Sequence, residues 1–456
     1  MPDPLRIGNA SAFWGDSNDA PARLVRQAPD LDVLTLDYLA EVSMSILAKQ
    51  RQRDPSAGYA RDFVKVIESL APIWRDGRKF KLVTNAGGLN PRGCAQACAT
   101  ALKAAGCSGL KIGVVSGDDV LPAIRAAHDA DAKTAAFAHL ETGAPIHDVY
   151  DKLVTANAYI GAAPVADALL RGADIVITGR VADPSLTVGP CLAHFGWRGD
   201  DYDRIAGATV AGHLIECGTQ VTGGISTDWL QLPNLDIGYP IVEVCEDGSC
   251  IVTKPAQTGG RVNERTVREQ LVYEIGDPAN YLSPDAAVSF LTIAVEDQGS
   301  DRVRVSGAMG RAPTGFYKVS ATYRAGYRAS GMLTIVGRDA VKKARRAGES
   351  VLERLREMDA APQRSLIECL GSGDGAGGTV ACADQLLETV LRVTVSDPRE
   401  EIVERFTKEI APLVTRGPQG TTGYAEGRPP VREVFGYWPT LIPRDQVSIS
   451  VDVLVV

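Results

Sequence analysis

Asp174-Ile-Val-Ile-Thr-Gly-Arg-Val-Ala-Asp-Pro-Ser185 is the stretch on which the fold reading turns. Its run of Ile and Val up to Thr178 reads as a strand buried on both faces, the habit of a parallel sheet. The strand empties into a loop holding Arg180, Asp183 and Ser185, and open α/β sheets gather their ligands at the carboxyl ends of the strands. A later segment, Glu216-Cys-Gly-Thr-Gln-Val-Thr-Gly-Gly224, adds a carboxylate, a thiol, an amide and two glycines. That is polar chemistry enough for catalysis, in no arrangement diagnostic of one reaction.

Working outward, the first half alternates β-branched runs with amphipathic stretches, which predicts βα units. Strands are expected over 5–9, 33–37, 80–84, 110–115 and 174–178, and helices over 20–28, 59–78, 91–105 and 164–171. Beyond about residue 230 short strands and glycine turns take over, and a strongly charged helix over 338–358, with a solvated face, opens a last mixed section. The expected fold is α/β: a mostly parallel sheet core (1–230), a β-rich subdomain (231–337) and a C-terminal α+β section (338–456). In 242–252 the Asp247-Gly248 step predicts a two-residue hairpin with Cys245 opposite Cys250, read as two facing thiols.

The chain has 456 residues, 45% of them hydrophobic and 23% charged, ordinary globular values. Its net charge of −8, with no basic stripe, argues against a nucleic-acid partner. No signal-peptide pattern and no membrane-length apolar run occurs, and the nine cysteines are scattered, so a cytoplasmic protein without a disulfide framework is expected.

Three loops carry a Gly-Gly step: Asn85, Gly87, Gly88, Asn90 and Arg92 in the first, Gln220, Gly223 and Gly224 in the second, Thr258, Gly259 and Gly260 in the third. Consecutive glycines turn backbone N–H groups toward an anion, so these residues are candidates for substrate binding; tight turns without a ligand are the other reading. None matches a dinucleotide or nucleotide-triphosphate fingerprint, and no cofactor is expected. Arg180 suits a bidentate grip on a carboxylate, with Ser185 beside it, and Asp183 a base or helix cap; a buried structural Arg180–Asp183 pair is the alternative. Glu216 is a candidate general acid or base. On a helix His213 and Cys217 share a face, which makes Cys217 a candidate nucleophile, although such proximity is usually incidental. No metal site is expected: there are five histidines and no ligand motif, and Asp118-Asp119 and His139-Leu-Glu141, which could contribute to an oxygen-rich Mg²⁺ site, read rather as solvated acidic loop residues.

The motifs 83–91, 174–183 and His213-Leu-Ile-Glu-Cys-Gly218, Thr258-Gly-Gly260 with 269–278, and 422–429 together resemble the acyclic terpene utilization AtuA family along nearly the whole chain. The resemblance implies a place in the breakdown of acyclic terpenoids such as citronellol and geraniol, beside acyl-CoA enzymes. The function expected on these grounds is an enzyme of acyl-CoA or branched carboxylic-acid catabolism, of hydration, lyase or acyl-transfer type, without a redox cofactor. Its partner would be a small acyl-CoA or carboxylic acid, with no membrane, in a homo-oligomer or beside a partner catabolic subunit. The alternative is a noncatalytic acyl-CoA-binding or assembly subunit.

Overall fold

A computed structural model of the chain describes residues 2–131, 134–232, 234–377, 382–424 and 427–456. Gly378, which ends a glycine-rich stretch over 371–378 read from sequence as a flexible loop or linker, and Ala425 and Glu426 of the 422–429 motif lie outside the described residues. The chain folds as two compact units, Met1–Thr322 with Tyr437–Val456, and Tyr323–Gly436.

The first unit is built on a ten-stranded sheet of β1 (Leu5–Asn9), β2 (Val33–Leu36), β3 (Lys81–Thr84), β4 (Lys111–Ser116), β5 (Ile175–Thr178), β6 (Ile241–Val244), β7 (Cys250–Thr253), β8 (Ala294–Asp297), β9 (Val303–Ser306) and β10 (Ser450–Val455). Across the sheet the order is β8-β9-β7-β6-β1-β2-β3-β5-β4-β10. The five strands from β1 to β4 in that order run parallel. Every residue of β2 and β5 is buried, as the apolar runs predict for strands covered on both faces.

The expected mostly parallel sheet requires correction, because the sheet is mixed. Strands β6 to β9 join the same sheet as antiparallel neighbours, and β10 closes the far edge antiparallel to β4. Short turns link β6 to β7 and β8 to β9, and a turn of that length can join only antiparallel strands. The 245–250 register also differs from expectation. Val244, not Cys245, pairs with Cys250, since Cys245 N–H bonds the Ser249 carbonyl around a three-residue loop. Both cysteines are free thiols.

Helices cover the sheet with the expected periodicity. Helix Phe63–Arg75 buries Phe63, Val66, Ile67, Leu70 and Trp74 against Leu34, Leu36 and Leu82 of the sheet. Phe63 is fully buried, so Phe63→Ala is expected to cost about 3–5 kcal/mol. Helix Tyr202–Glu216 is buried without interruption from Ile205 to Ile215. A helix wrapped on all sides lacks the polar face that reveals a 3.6-residue period, which is why the sequence exposes only its last turn. Among the described residues no helix is long and apolar enough to cross a membrane.

In the second unit, residues 327–336 pair antiparallel with Glu388–Asp397, which also pairs with Arg364–Leu370. Helices Ala340–Glu357 and Glu400–Ile410 supply its core through Ala344, Val351, Leu355, Val403 and Phe406. The expected charged helix is thus present, with a buried apolar stripe beneath its charges.

Candidate functional site

Each of the five parallel strands ends on, or within two residues of, a buried polar residue. Asn9 ends β1, Asp37 follows β2, Asn85 follows β3, Arg180 follows β5 after Gly179, and Asp118 follows β4 after Gly117. Parallel pairing brings these ends to one side of the sheet, where the Asn85 side chain bonds Asp37 and the Asp118 carboxylate bonds the Arg180 backbone. Asn85 Nδ2 donates to Asp37 Oδ1 at 2.7 Å, while its Oδ1 accepts the Tyr38 N–H at 2.7 Å. Asp118 Oδ2 accepts the Arg180 backbone N–H and Asn157 Nδ2, each at 2.8 Å. Gly179 permits this closeness, since a Cβ there would collide with the Asp118 carboxylate. Asn9 Nδ2 donates to the carbonyls of Ile215 and Glu216 and so fixes the end of helix Tyr202–Glu216 against the strands.

Arg180 is 2% exposed. Its Nη1 donates to the Leu39 carbonyl at 2.6 Å and lies 2.9 Å from Asp183 Oδ1, and its guanidinium stacks 4.2 Å from the centroid of the Tyr159 ring. Burial opposes its charge, but Asp183, Tyr159 and Asp37 more than offset this and hold it protonated. The Asp183 side chain remains 34% open. Burial, reinforced by the charge of Asp183, pushes the Asp37 carboxyl well above its ordinary range. Burial likewise lifts Asp118 to about 6.

Behind this layer His213 and Glu216 form a second group. His213 Nε2 lies 2.9 Å from the Gln270 carbonyl, which can only accept, so that nitrogen carries a hydrogen. Nδ1 lies 3.1 Å from Glu216 Oε1, and the two share one further proton. Burial pushes Glu216 up to about 7, with Asp183 adding to the push and His213 pulling against it. His213 is itself raised: burial opposes its charge, and the hydrogen bond and charge of Glu216 prevail.

A cavity of about 350 Å³ opens on the Arg180–Asp183 pair. Tyr159, Tyr281 and Lys318 contribute polar lining, and Leu140, Leu282, Phe316 and Leu441 contribute apolar lining. Burial and the nearby carboxylates keep the Tyr281 hydroxyl protonated. A larger cavity, about 700 Å³, lies at the opposite, amino ends of the strands, around Leu5, Val33, Lys81 and Asp174. The smaller one is the better candidate, because the buried titratable groups converge beside it and strand carboxyl ends are where α/β sheets bind ligands.

The structure therefore brings Arg180 and Asp183 to the cavity wall and places Asn85 one step behind, through Asp37. Glu216, Cys217 and Gln220 sit at the end of helix Tyr202–Glu216, and Gln220 Oε1 is buried without a hydrogen-bond partner among the described residues. Burial pushes the Cys217 thiol up to about 12, with Glu216 adding to the effect, and the ring nitrogens of His213 face Glu216 and Gln270. Ser185 Oγ donates to Asp285 Oδ2 at 2.5 Å.

The remaining expected residues do not join this cluster. Asn90 caps helix Pro91–Ala104 through the Gly93 N–H at 2.9 Å, and Arg92 forms an exposed ion pair with Asp452. Gly87 packs so closely that a Cβ would lie 2.5 Å from the Thr178 carbonyl. The N–H groups of Gly88, Gly223, Gly224, Gly259 and Gly260 bond the carbonyls of Asn85, Gln220, Thr219, Asp236 and Asn234, and Thr258 Oγ1 bonds the Pro255 carbonyl. Those N–H groups hold loops together and do not form an anion cradle. Asp118, expected in solvent, is buried, and no group of three side chains able to hold a metal occurs among the described residues.

Asn9, Asp37, Asp118, Tyr159, Gln270, Tyr281 and Lys318 are site residues that sequence reading missed. For the first three a signal existed: each is a polar residue at the end of an apolar run. Tyr281 and Lys318 arrive from distant parts of the chain and carry no local signal.

Neither a comparison with curated proteins nor one with solved structures gives a match. The profile of the acyclic terpene utilisation family protein AtuA matches residues 5–453, which takes in every residue of the cluster. The chain therefore belongs to the AtuA family, which ties it to acyclic terpene utilisation.

Proposed function

We propose that this protein moves a proton on an acyclic, branched carboxylic acid or its coenzyme A thioester, in a hydration or elimination without a redox cofactor. The observation that carries the reading is the cavity wall, where Asp183 is the carboxylate a ligand would meet and buried Arg180 holds it in place. The apolar part of the lining suits a hydrocarbon chain. Asp183 would take the proton α to the carbonyl, the electron pair moving to the carbonyl oxygen as an enolate, and the protonated Tyr281 hydroxyl is a donor for that oxygen. Departure of a β-hydroxyl as water would take up the proton that Asp183 has accepted from the α-carbon, which returns Asp183 to its carboxylate form. Acyl transfer through Cys217 is disfavoured, because a thiol held protonated with no free imidazole beside it is a poor nucleophile.

The test is incorporation of solvent deuterium at the α-carbon, followed by NMR, across a panel of coenzyme A thioesters and free branched acids. Ligands found first by thermal stabilisation would be assayed. Asp183→Asn should abolish exchange, and Glu216→Gln should slow turnover more than it weakens binding. Exchange seen only with a second protein present would favour a binding or assembly subunit. Neither stabilisation nor exchange across the panel would defeat the reading.

A further inference from the structure

Arg180, Asp183 and Lys318 are the charged side chains in the lining of the cavity. Arg180 and Asp183 lie 2.9 Å apart, so their charges offset each other. Among the described residues no carboxylate lies within ion-pair distance of Lys318, which leaves the lining with one unbalanced positive charge. The Lys318 ammonium faces aromatic rings instead, 5.1 Å from the centroid of Tyr159 and 6.0 Å from that of Tyr437. Tyr159 also carries the Arg180 guanidinium. An aromatic face attracts a cation but has no net charge and cannot neutralise it.

The wall that bears Lys318 is held firmly. Its carbonyl accepts the Tyr159 N–H at 2.9 Å. Arg444 clamps the residues before it, donating from Nε to the Thr314 carbonyl and from Nη2 to the Pro284 carbonyl, each at 2.7 Å, and stacking 4.4 Å from the Tyr317 ring centroid.

We infer that Lys318 is the anchor for the substrate's anionic group, the carboxylate of a free acid or a phosphate of a coenzyme A thioester. This rests on the reading of the cavity as the acid-binding site. The carboxylate grip that the sequence suggests for Arg180 passes to Lys318. Arg180 is 2% exposed and its Nη1 is held by Leu39 and Asp183, whereas Lys318 is exposed and can be reached. A ligand with its negative end at Lys318 and its carbon chain against Leu140, Leu282, Phe316 and Leu441 balances the charge of the lining and covers its apolar part. An uncharged ligand of the same shape would take water from Lys318 and return no counter-charge.

The experiment titrates citronellic acid, its primary amide, its pantetheine thioester and its coenzyme A thioester into wild type, Lys318→Met and Lys318→Arg. Met keeps an apolar stem and the backbone bond from Tyr159, and circular dichroism checks that the fold is kept. For a carboxylate anchor, wild type should bind the acid at least about tenfold more tightly than the amide. Lys318→Met should then remove that preference by weakening the acid and sparing the amide. For a phosphate anchor, Lys318→Met should weaken the coenzyme A thioester about tenfold and spare the pantetheine thioester, which has no phosphate. In either case Lys318→Arg should hold the affinity within about threefold, and added salt should weaken binding to wild type more than to Lys318→Met. Acid and coenzyme A thioester bound as tightly by Lys318→Met as by wild type would overturn the inference and leave the site reading standing. Amide and pantetheine thioester weakened as much as their charged counterparts would overturn it equally. Failure of every ligand to bind wild type would remove the site reading and the inference with it.

Discussion

Replacing Asp118 by Asn removes one proton-binding group from the dry polar layer at the strand ends while leaving its contacts in place. One oxygen of Asp118 accepts from both Arg180 N–H and Asn157 Nδ2, and the amide oxygen of Asn can take over both bonds. Burial raises the carboxyl from 3.8 to about 6. At about 1.4 kcal/mol per pH unit, this difference amounts to about 3 kcal/mol of pH-dependent stability. Because the folded protein binds the proton more tightly than the unfolded chain, that stability is fully present below 3.8 and is lost as pH rises through about 6. About 2 kcal/mol of the loss falls between about pH 4.5 and pH 7.5. The variant does not titrate there, so its stability relative to wild type, from urea unfolding at several pH values, should improve by about 2 kcal/mol over that interval. Asp37 and Asp285, also raised by burial, contribute to both proteins and cancel in the difference. A difference that stays flat would show that Asp118 ionises at little cost, and would undo the picture of a desolvated layer beneath Arg180.

Gly179→Ala drives a methyl into the Asp118 carboxylate and should destabilise by about 2 kcal/mol or more, read as a lowered unfolding midpoint. Arg180→Lys keeps the charge but loses the planar group stacked on Tyr159 and bonded to Leu39, so Asp183 is held less firmly. Turnover should drop at least tenfold while circular dichroism is unchanged, and full activity would assign Arg180 a purely structural part. Cys217→Ser should retain activity within about twofold, and the wild-type thiol should resist alkylation at pH 8, as a group pushed to about 12 must. Arg92→Ala breaks an exposed pair with Asp452 and should change stability by less than about 1 kcal/mol and leave ligand affinity untouched.

The sequence by itself determined the parallel centre of the sheet and the loop that follows β5, because an Ile-Val run ending in polar residues has few other ways to fold in water. It also marked Arg180, Asp183 and Glu216, whose charges are conspicuous among apolar neighbours. It could not show that the glycine steps serve backbone bonds: a Gly-Gly turn looks the same whether its N–H groups meet a ligand or a carbonyl from another loop. Nor could it show that β6 to β9 extend the first sheet, since short alternating strands can pair among themselves or with an existing edge. Only the tertiary structure decided which of the polar residues meet. Asn9, Asp37, Asn85, Asp118 and Arg180 are scattered over more than a third of the chain, and parallel pairing brings the strand ends that carry them to one side of the sheet. Burial then does what composition cannot report, raising Asp37, Asp118 and Glu216 and leaving one proton between His213 and Glu216, because a charge withdrawn from water is stable only where another charge or hydrogen bond faces it.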